Sequence, residues 1–283
     1  MIAETTMFQL LLCMCFLTSI ITEGSVVENE LIRDVETEYN NELKSRHSHD
    51  VAEGEYTFVV TMVLIEQEIV TSHCTGSMIH QSWVLSSSHC FYDLLHKTFY
   101  VWNGNYTLSP LVTNMYAKVI KIHIHPAFHN TEFTRAGYYF GDNDISLLRV
   151  DNIVMQSYGR LSTVDHTKMS GLSVTYVGGG AKTKRRGDLY RPLLVGEGVV
   201  IKCGLALTMW SKYMLCVVPK CSERSHQPLH SDFGGPFIYD GKIVGVMSLN
   251  VKFPKTSVSS NGLTPVTPYK DWINHVTHVR QNP

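Results

Sequence analysis

The sequence has no excess of charge of either sign. Its 283 residues carry 24 Lys and Arg against 25 Asp and Glu, which gives a formal net charge of -1 with neutral histidines. This balance does not favour nucleic acid or an anionic membrane surface as a partner. After the N-terminal segment, the sequence also lacks an apolar run long enough to cross a bilayer. The remaining composition, 44% hydrophobic and 17% charged, is that of a globular protein with a sizeable core.

An apolar run near the N-terminus is typical of a secretory signal peptide. F-Q-L-L-L-C-M-C-F-L-T-S-I-I extends from Phe8 to Ile21, which is short for a membrane span. Small residues follow at both positions that a signal peptidase reads. Residues 1–24 are therefore predicted to be removed before Ser25, and the alternative is a buried N-terminal helix.

Residues 25–50 form an acidic leader. The stretch E-N-E-L-I-R-D-V-E-T-E-Y-N-N-E within it carries six acidic side chains and one Arg. Leu31, Ile32, Val35 and Tyr39 would mark one face of a short helix, but a solvated, flexible leader is the favoured interpretation.

Secretion would make the cysteines candidates for disulfide bonds. Five follow the predicted signal peptide: Cys74, Cys90, Cys203, Cys216 and Cys221. An odd number allows two internal bridges and leaves one thiol. Asn105-Tyr106-Thr107 is an N-glycosylation sequon, which suits a surface loop of a secreted protein.

From residue 54 the sequence changes to short runs rich in Val, Ile, Tyr and Thr, separated by Gly, Pro, Asn and Asp. Y-T-F-V-V-T-M-V-L-I and A-K-V-I-K-I-H-I are examples. Such runs recur over about 200 residues, which predicts an all-β sandwich or pair of barrels. Only the tail repeats apolar residues at helical spacing, with Trp272, Ile273, Val276 and Val279 on one face.

Three motifs stand in a fixed order along this β-rich part. W-V-L-S-S-S-H-C ends at Cys90, D-N-D-I-S-L-L-R-V begins at Asp142, and H-S-D-F-G-G-P begins at His230. Their order and spacing resemble those of the trypsin-like serine proteases, from about Val51 to Val276. The resemblance implies two antiparallel six-stranded Greek-key barrels, at about 51–155 and 156–268, and a C-terminal helix at 269–280.

The same resemblance assigns site residues. His89 takes the place of the general base and Asp144 that of the carboxylate that orients it. Phe233 stands where the family has its nucleophilic serine. A phenyl ring has neither a proton to give nor a lone pair with which to attack, so acyl-enzyme chemistry is predicted to be absent.

Further departures from the family pattern surround this position. Ser231 replaces a glycine of the oxyanion loop, and Gly179 replaces a tryptophan. The chain contains no Ile-Val-Gly-Gly, the N-terminus that activation cleavage frees in active members. Asp232 is the carboxylate that this terminus would meet, and we expect His73 to pair with it instead. The pocket floor falls near Gln227, which selects no basic residue.

The family's disulfide pattern implies the bridges Cys74–Cys90 and Cys203–Cys216. Each would stabilise the fold by roughly 3 kcal/mol. Cys221 is then a free thiol, a link to another chain, or a replacement for Cys216 as the partner of Cys203.

Histidines offer two alternative metal sites, both weak. His123 and His125 alternate on a predicted strand and share a face, but two ligands without a third are insufficient. His89, His226 and His230 would meet over the former cleft. No metal and no cofactor is predicted.

The sequence therefore predicts a secreted, catalytically inactive homologue that acts by binding extracellular protein partners. By resemblance, such homologues are common in insects, in haemolymph cascades and in seminal fluid. Haemolymph cofactors usually carry a cysteine-rich module upstream, and residues 25–50 contain no cysteine, which favours a seminal or other secretory role. The alternatives are a hydrolase with a rearranged nucleophile, and a metal- or glycan-binding module.

Overall fold

The computed structural model describes residues 49–52, 54–133, 138–179, 190, 192–203, 211–220, 230–252 and 259–278. The strands are β1 (His49–Asp50), β2 (Val59–Glu66), β3 (Ile69–His80), β4 (Trp83–Ser86), β5 (Phe99–Trp102), β6 (Tyr116–Ile124), β7 (His129–Phe133), β8 (Tyr138–Asp142), β9 (Ser146–Val150), β10 (Ser173–Gly178), β11 (Leu194–Ile201), β12 (Leu215–Pro219), β13 (Pro236–Tyr239), β14 (Lys242–Lys252) and β15 (Ser259–Pro265). The helices are α1 (Pro110–Thr113) and α2 (Lys270–Thr277), and 3-10 turns span Tyr92–Leu94, His166–Lys168, His230–Asp232 and Thr267–Tyr269.

Twelve of these strands close into two antiparallel barrels, as predicted. The first barrel runs in the order β2-β3-β4-β9-β6-β5, and the second in the order β10-β11-β12-β15-β14-β13. Within each barrel the order of the six strands is first, second, third, sixth, fifth, fourth. Three consecutive strands with the fourth returning beside the first make a Greek key, and both barrels have it. β7 and β8 form a separate hairpin.

Strand β2 explains why one sequence run is apolar without alternation. Val60 and Met62 belong to the main hydrophobic core. Val59 and Val63, on the opposite face, pack in a cluster that includes Val195 of the second barrel. Because both faces of β2 are covered, V-V-T-M-V carries no solvent-facing position, and its five residues are buried.

Strand β1 corrects the predicted end of the leader. His49 is opposite Val195 and Asp50 is opposite Leu194 in an antiparallel pair with β11. The last two residues of the predicted leader therefore belong to the folded domain. Residues 1–48, with the predicted signal peptide and the rest of the leader, lie outside the described residues.

The C-terminal helix packs on the outside of the first barrel. Ile273 is fully buried in a cluster with Ile145 and Leu147, and Trp272 and Val276 cover its edge. The helix ends at Thr277, and the next residue, His278, has a left-handed φ of 54° that breaks the helical repeat. The predicted span 269–280 extends beyond the described residues, so its last part is not tested. In the part of the chain that the structure describes, no helix is long and apolar enough to cross a membrane.

Candidate functional site

His89 lies in a turn that buried serines hold in place. The Ser88 hydroxyl donates to the carbonyl of Ile145 over 2.6 Å, and the Ser146 hydroxyl donates to the carbonyl of Ser87 over 2.9 Å. All three serines are fully buried. Ser87 and Ser88 of W-V-L-S-S-S-H-C therefore tie the turn after β4 to the two residues that follow Asp144.

The turn before β9 is fixed in the same way. Asn143 has a φ of 54°, a left-handed conformation that asparagine tolerates. Its amide nitrogen donates to the carbonyl of Ala127 over 2.8 Å, and the Tyr269 hydroxyl donates to its side-chain oxygen over 3.1 Å. These contacts fix the direction in which Asp144 enters the protein.

Asp144 and His89 form a hydrogen-bonded pair in which the carboxylate is buried and the ring is partly buried. The imidazole Nδ1 lies 2.7 Å from Asp144 Oδ2, and the backbone N–H of His89 donates to Oδ1 over 2.8 Å. Asp144 is fully buried, whereas 14% of the His89 side chain is exposed. Burial favours the neutral acid, but the charge of His89 and the hydrogen bonds from His89 and Ser248 together lower the pKa of Asp144 below its usual value. The aspartate is therefore ionised at neutral pH and holds the ring in one orientation.

Ser248 is a member of this network that the sequence did not reveal. Its hydroxyl donates to Asp144 Oδ2 over 2.5 Å from strand β14 of the second barrel. Ser248 is fully buried. A single hydroxyl in the apolar run I-V-G-V-M-S-L was the available signal, because a buried polar side chain needs a partner.

The loop that carries Phe233 is held by backbone contacts to both barrels. The Thr75 N–H donates to the carbonyl of Phe233 over 2.8 Å, and the Thr75 hydroxyl donates to the carbonyl of Ser231 over 2.6 Å. On the other side, the Gly234 N–H donates to the carbonyl of Met247 over 2.8 Å. Ser231 is itself buried.

Gly234 must be a glycine for this loop to fit. Its φ is +80°, a conformation that L side chains rarely adopt. A Cβ there would also collide with the Ser86 hydroxyl and the carbonyl of Thr75. The Gly-Gly of the motif is thus required by the geometry of the loop and does not depend on a reactive residue before it.

Phe233 faces His89. The two ring centroids are 5.1 Å apart, with the rings at 76° in an edge arrangement. Phe233 is 4% exposed and belongs to the main hydrophobic core together with Cys74, Cys90 and Phe91. The side chain beside the histidine is therefore a packed hydrocarbon ring, and this position offers no atom that could attack a carbonyl.

The predicted pairing of His73 with Asp232 is wrong. His73 Nε2 lies 2.5 Å from the carbonyl oxygen of Cys90, to which it donates. Its ring packs against Phe91 and Phe99. Burial lowers the pKa of His73 although the Cys90 carbonyl opposes this, so the ring is neutral at neutral pH.

Asp232 faces strand β10 instead. A Cβ at Gly178 would collide with its carboxylate. Burial raises the pKa of Tyr176, and the charge of Asp232 adds to this effect, which places the carboxylate near that phenol. Gly179, the position of the family's tryptophan, follows directly and is buried.

The structure joins the cysteines as the resemblance implies. Cys74 bonds to Cys90 beside His89, and Cys203 bonds to Cys216. Cys221 lies outside the described residues, as do Gln227 and His226. The backbone of His230 begins the 3-10 turn before Phe233.

The histidines of the proposed metal pair have aromatic neighbours. The His123 ring lies 5.5 Å from Trp83, and the His125 ring lies 5.1 Å from Tyr269 and 4.9 Å from Trp272. Among the residues described, His, Cys, Asp and Glu do not form a group of three that could hold a metal ion.

Two Greek-key barrels with a buried His–Asp pair at their junction define the chymotrypsin fold class. Residues 46–273 match the sequence profile of the Trypsin family. Human chymotrypsin-like elastase family member 1 is 31% identical over 222 residues, covering 72% of this chain and 80% of that protein. Rat granzyme M is 26% identical over 229 residues, covering 75% and 83%. The chain belongs to the trypsin family.

Solved structures agree on the fold. The structure titled as a complex of kallikrein-related peptidase 10 with Zn2+ superposes with a TM-score of 0.58 at 19% identity, covering 81% of this chain and 98% of that one. A structure titled HL collagenase gives a TM-score of 0.61 at 19% identity, covering 82% and 98%. At these identities the likeness concerns the fold alone.

Proposed function

We propose that the protein is a secreted, catalytically inactive member of the trypsin family that acts by binding extracellular proteins. The observation that carries this proposal is the ring of Phe233, packed edge-on against His89 where the nucleophile belongs. Loss of the nucleophile from such a site costs about 10⁶-fold in rate. His89 and Asp144 then act as a buried hydrogen-bonded pair without a proton-transfer partner.

Secretion is supported by the signal-like run from Phe8 to Ile21 and by two disulfide bonds. A domain that keeps its fold while its chemistry is lost can act only through its surfaces. We infer a regulator or cofactor of an extracellular network, and the cysteine-free leader favours a seminal or other secretory role. The insect origin that the family resemblance implies remains a prediction.

Labelling with a fluorophosphonate tests the loss of chemistry. The wild-type chain and the variants Phe233→Ala and Phe233→Ser are secreted from cultured cells and assayed for labelling and peptide hydrolysis. We expect wild type and Phe233→Ala to be silent. Labelling of Phe233→Ser would show that His89 and Asp144 are still aligned for catalysis and that the nucleophile alone is missing.

The alternative is a hydrolase with another nucleophile. Labelling of wild type that disappears in His89→Ala would establish it and overturn the proposal. Binding is tested by cross-linking the tagged protein in the secretory fluid of its source. A His89→Ala variant should capture the same partner, and cleavage of that partner by the wild type alone would contradict a purely binding role.

A further inference from the structure

The loop between β5 and β6 exposes a concentration of apolar side chains. The exposed ones on it are Leu108, Leu111, Val112 and Met115. Val112 is 77% exposed, and Val154, on a neighbouring segment, is 86% exposed. Half of the large apolar side chains that are exposed within the described residues therefore lie on these two segments. Clustered apolar surface of this kind usually has something that covers it.

A cleft of about 640 Å³ adjoins this loop. Its apolar walls include Tyr56, Tyr106, Met115, Val154 and Leu193. Met115 folds over Gly104, where a Cβ would collide with its thioether. The volume lies in the range of cavities that hold small ligands, about 300–1,000 Å³.

The sequon Asn105-Tyr106-Thr107 lies on the rim of this cleft. Asn105 Oδ1 accepts from the Thr107 N–H over 2.8 Å and from the Thr107 hydroxyl over 2.7 Å. The Tyr106 hydroxyl, between them in sequence, donates to the carbonyl of Val59 over 2.8 Å and anchors the loop. Asn105 and Thr107 are both exposed. The oxygen of the amide is thus occupied, while its nitrogen is directed to no partner among the described residues.

We propose that Asn105 carries an N-linked glycan whose first sugars lie over this cleft. In the transfer, Asn105 Nδ2 forms a bond to C1 of an N-acetylglucosamine. The C1–O bond to a lipid-linked diphosphate breaks, the diphosphate leaves with the bonding electrons, and a base of the transferring enzyme takes one proton from Nδ2. This inference rests on the secretion in the proposed function, because the transfer takes place in the secretory pathway.

The cleft suits a sugar attached at its rim. A pyranose ring has an apolar face of C–H groups that packs on Met115 and Val154, while its hydroxyls remain in water. Glu55 and Gln156, which also line the cleft, offer hydrogen-bond partners at its edge. A covalent attachment at the rim keeps the local concentration of the sugar high, so weak contacts are sufficient for it to cover the cleft.

The test uses the full chain secreted from eukaryotic cells. We expect the wild type and Thr107→Ser to lose apparent mass on treatment with peptide-N-glycosidase. Asn105→Gln and Thr107→Ala should lack this shift, because each destroys the sequon. Removal of the glycan should raise the fluorescence of a hydrophobic dye and lower the Tm by about 2–4 °C.

Protein that reaches the medium without a mass shift would overturn this inference and leave the proposed function standing. A chain that never enters the secretory pathway would overturn both. A glycan whose removal changes neither dye fluorescence nor Tm would refute its place over the cleft. The apolar loop would then be open to a protein partner.

Discussion

The first barrel contributes polar side chains to the site, and the loop of the second barrel contributes a hydrocarbon ring. On the first side, two hydrogen bonds join His89 to a fully buried Asp144. On the second, Phe233 is held by its backbone carbonyl and by packing in the core. The buried pair is kept where a catalytic site would need it, although the residue it would activate is absent.

This difference arises because Asp144 and the residue at position 233 contribute differently to the stability of the fold. The carboxylate of Asp144 satisfies three donors, two from His89 and one from Ser248, and so joins two turns of the first barrel to strand β14 of the second. Its removal would leave buried donors without an acceptor, which costs free energy whether or not the site is catalytic. The side chain at the nucleophile position satisfies no such donors, because the backbone of the loop makes the hydrogen bonds that hold it. The side chain at this position has to fill the apolar space beside His89, which the ring of Phe233 does.

Phe233→Ala, which removes the ring packed beside His89, should have the largest effect on stability. Because the ring is 4% exposed and lies in the main core, its loss should lower the free energy of unfolding by about 3–4 kcal/mol. Urea unfolding of the secreted protein measures this. Phe233→Leu, which keeps apolar volume, should cost about 1 kcal/mol. If the alanine variant costs no more than the leucine variant, the ring is not a structural element and the comparison fails.

Asp144→Asn, which changes the hydrogen-bonded network of His89 and Ser248, should have the next largest effect on stability. An amide offers one acceptor oxygen and places an NH₂ group where the carboxylate accepted hydrogen bonds, so donors of His89 or Ser248 lose their acceptor. We expect a loss of about 2 kcal/mol in the free energy of unfolding. Asp142→Asn is the matched control, since Asp142 is only half-buried and accepts from Asn143 and Ser211. A larger loss of unfolding free energy in Asp142→Asn would show that the hydrogen bonds of Asp144 do not stabilise the fold as proposed.

Ser248→Ala should weaken the same network by about 1 kcal/mol. Without this hydroxyl, the pKa of Asp144 should rise from its lowered value toward the ordinary value of 3.8. An aspartate with a lowered pKa stabilises the fold above its unfolded pKa, and this stability is lost as the pH falls through the folded pKa. The gap between wild type and Ser248→Ala should therefore be full at pH 7 and close at acid pH. A gap that stays constant down to the most acid pH at which both proteins remain folded would assign the effect to packing.

The resemblance to the trypsin-like proteases, carried by three motifs in a fixed order, was sufficient for the two barrels and for the disulfide pairs, and it drew attention to His89, Asp144 and Phe233. Strand texture alone predicted an all-β fold without its topology. It failed where a partner is chosen in three dimensions. His73 lies on β3, which brings it to the carbonyl of Cys90, and spacing alone does not show this. Ser248 was missed for the same reason, since its acceptor comes from the other barrel. Strand β1 was assigned to the leader because two residues carry no periodicity.

His73→Gln should have the smallest effect on stability. His73 lies between the His89–Asp144 pair and the loop that carries Phe233. His73 donates to Cys90, next to His89, and Thr75 two residues later holds the carbonyl of Phe233. In the unfolded chain an ordinary histidine gains a proton as the pH falls through 6.5, whereas burial keeps folded His73 neutral to lower pH. The unfolded state therefore binds more protons in this window, and stability falls as the pH drops below 6.5.

Gln keeps an amide donor for Cys90 but does not titrate. Between pH 7.5 and 5 the His73→Gln variant should lose less stability than the wild type. The slopes of unfolding free energy against pH should differ by an amount that corresponds to less than one bound proton. His96→Gln, at an exposed histidine, controls for the removal of an imidazole. If the wild type and His73→Gln have equal slopes, His73 is not held neutral by burial. The surroundings of His73 would then tolerate a charged side chain, as those of Asp144 do, and would differ from the apolar surroundings of Phe233.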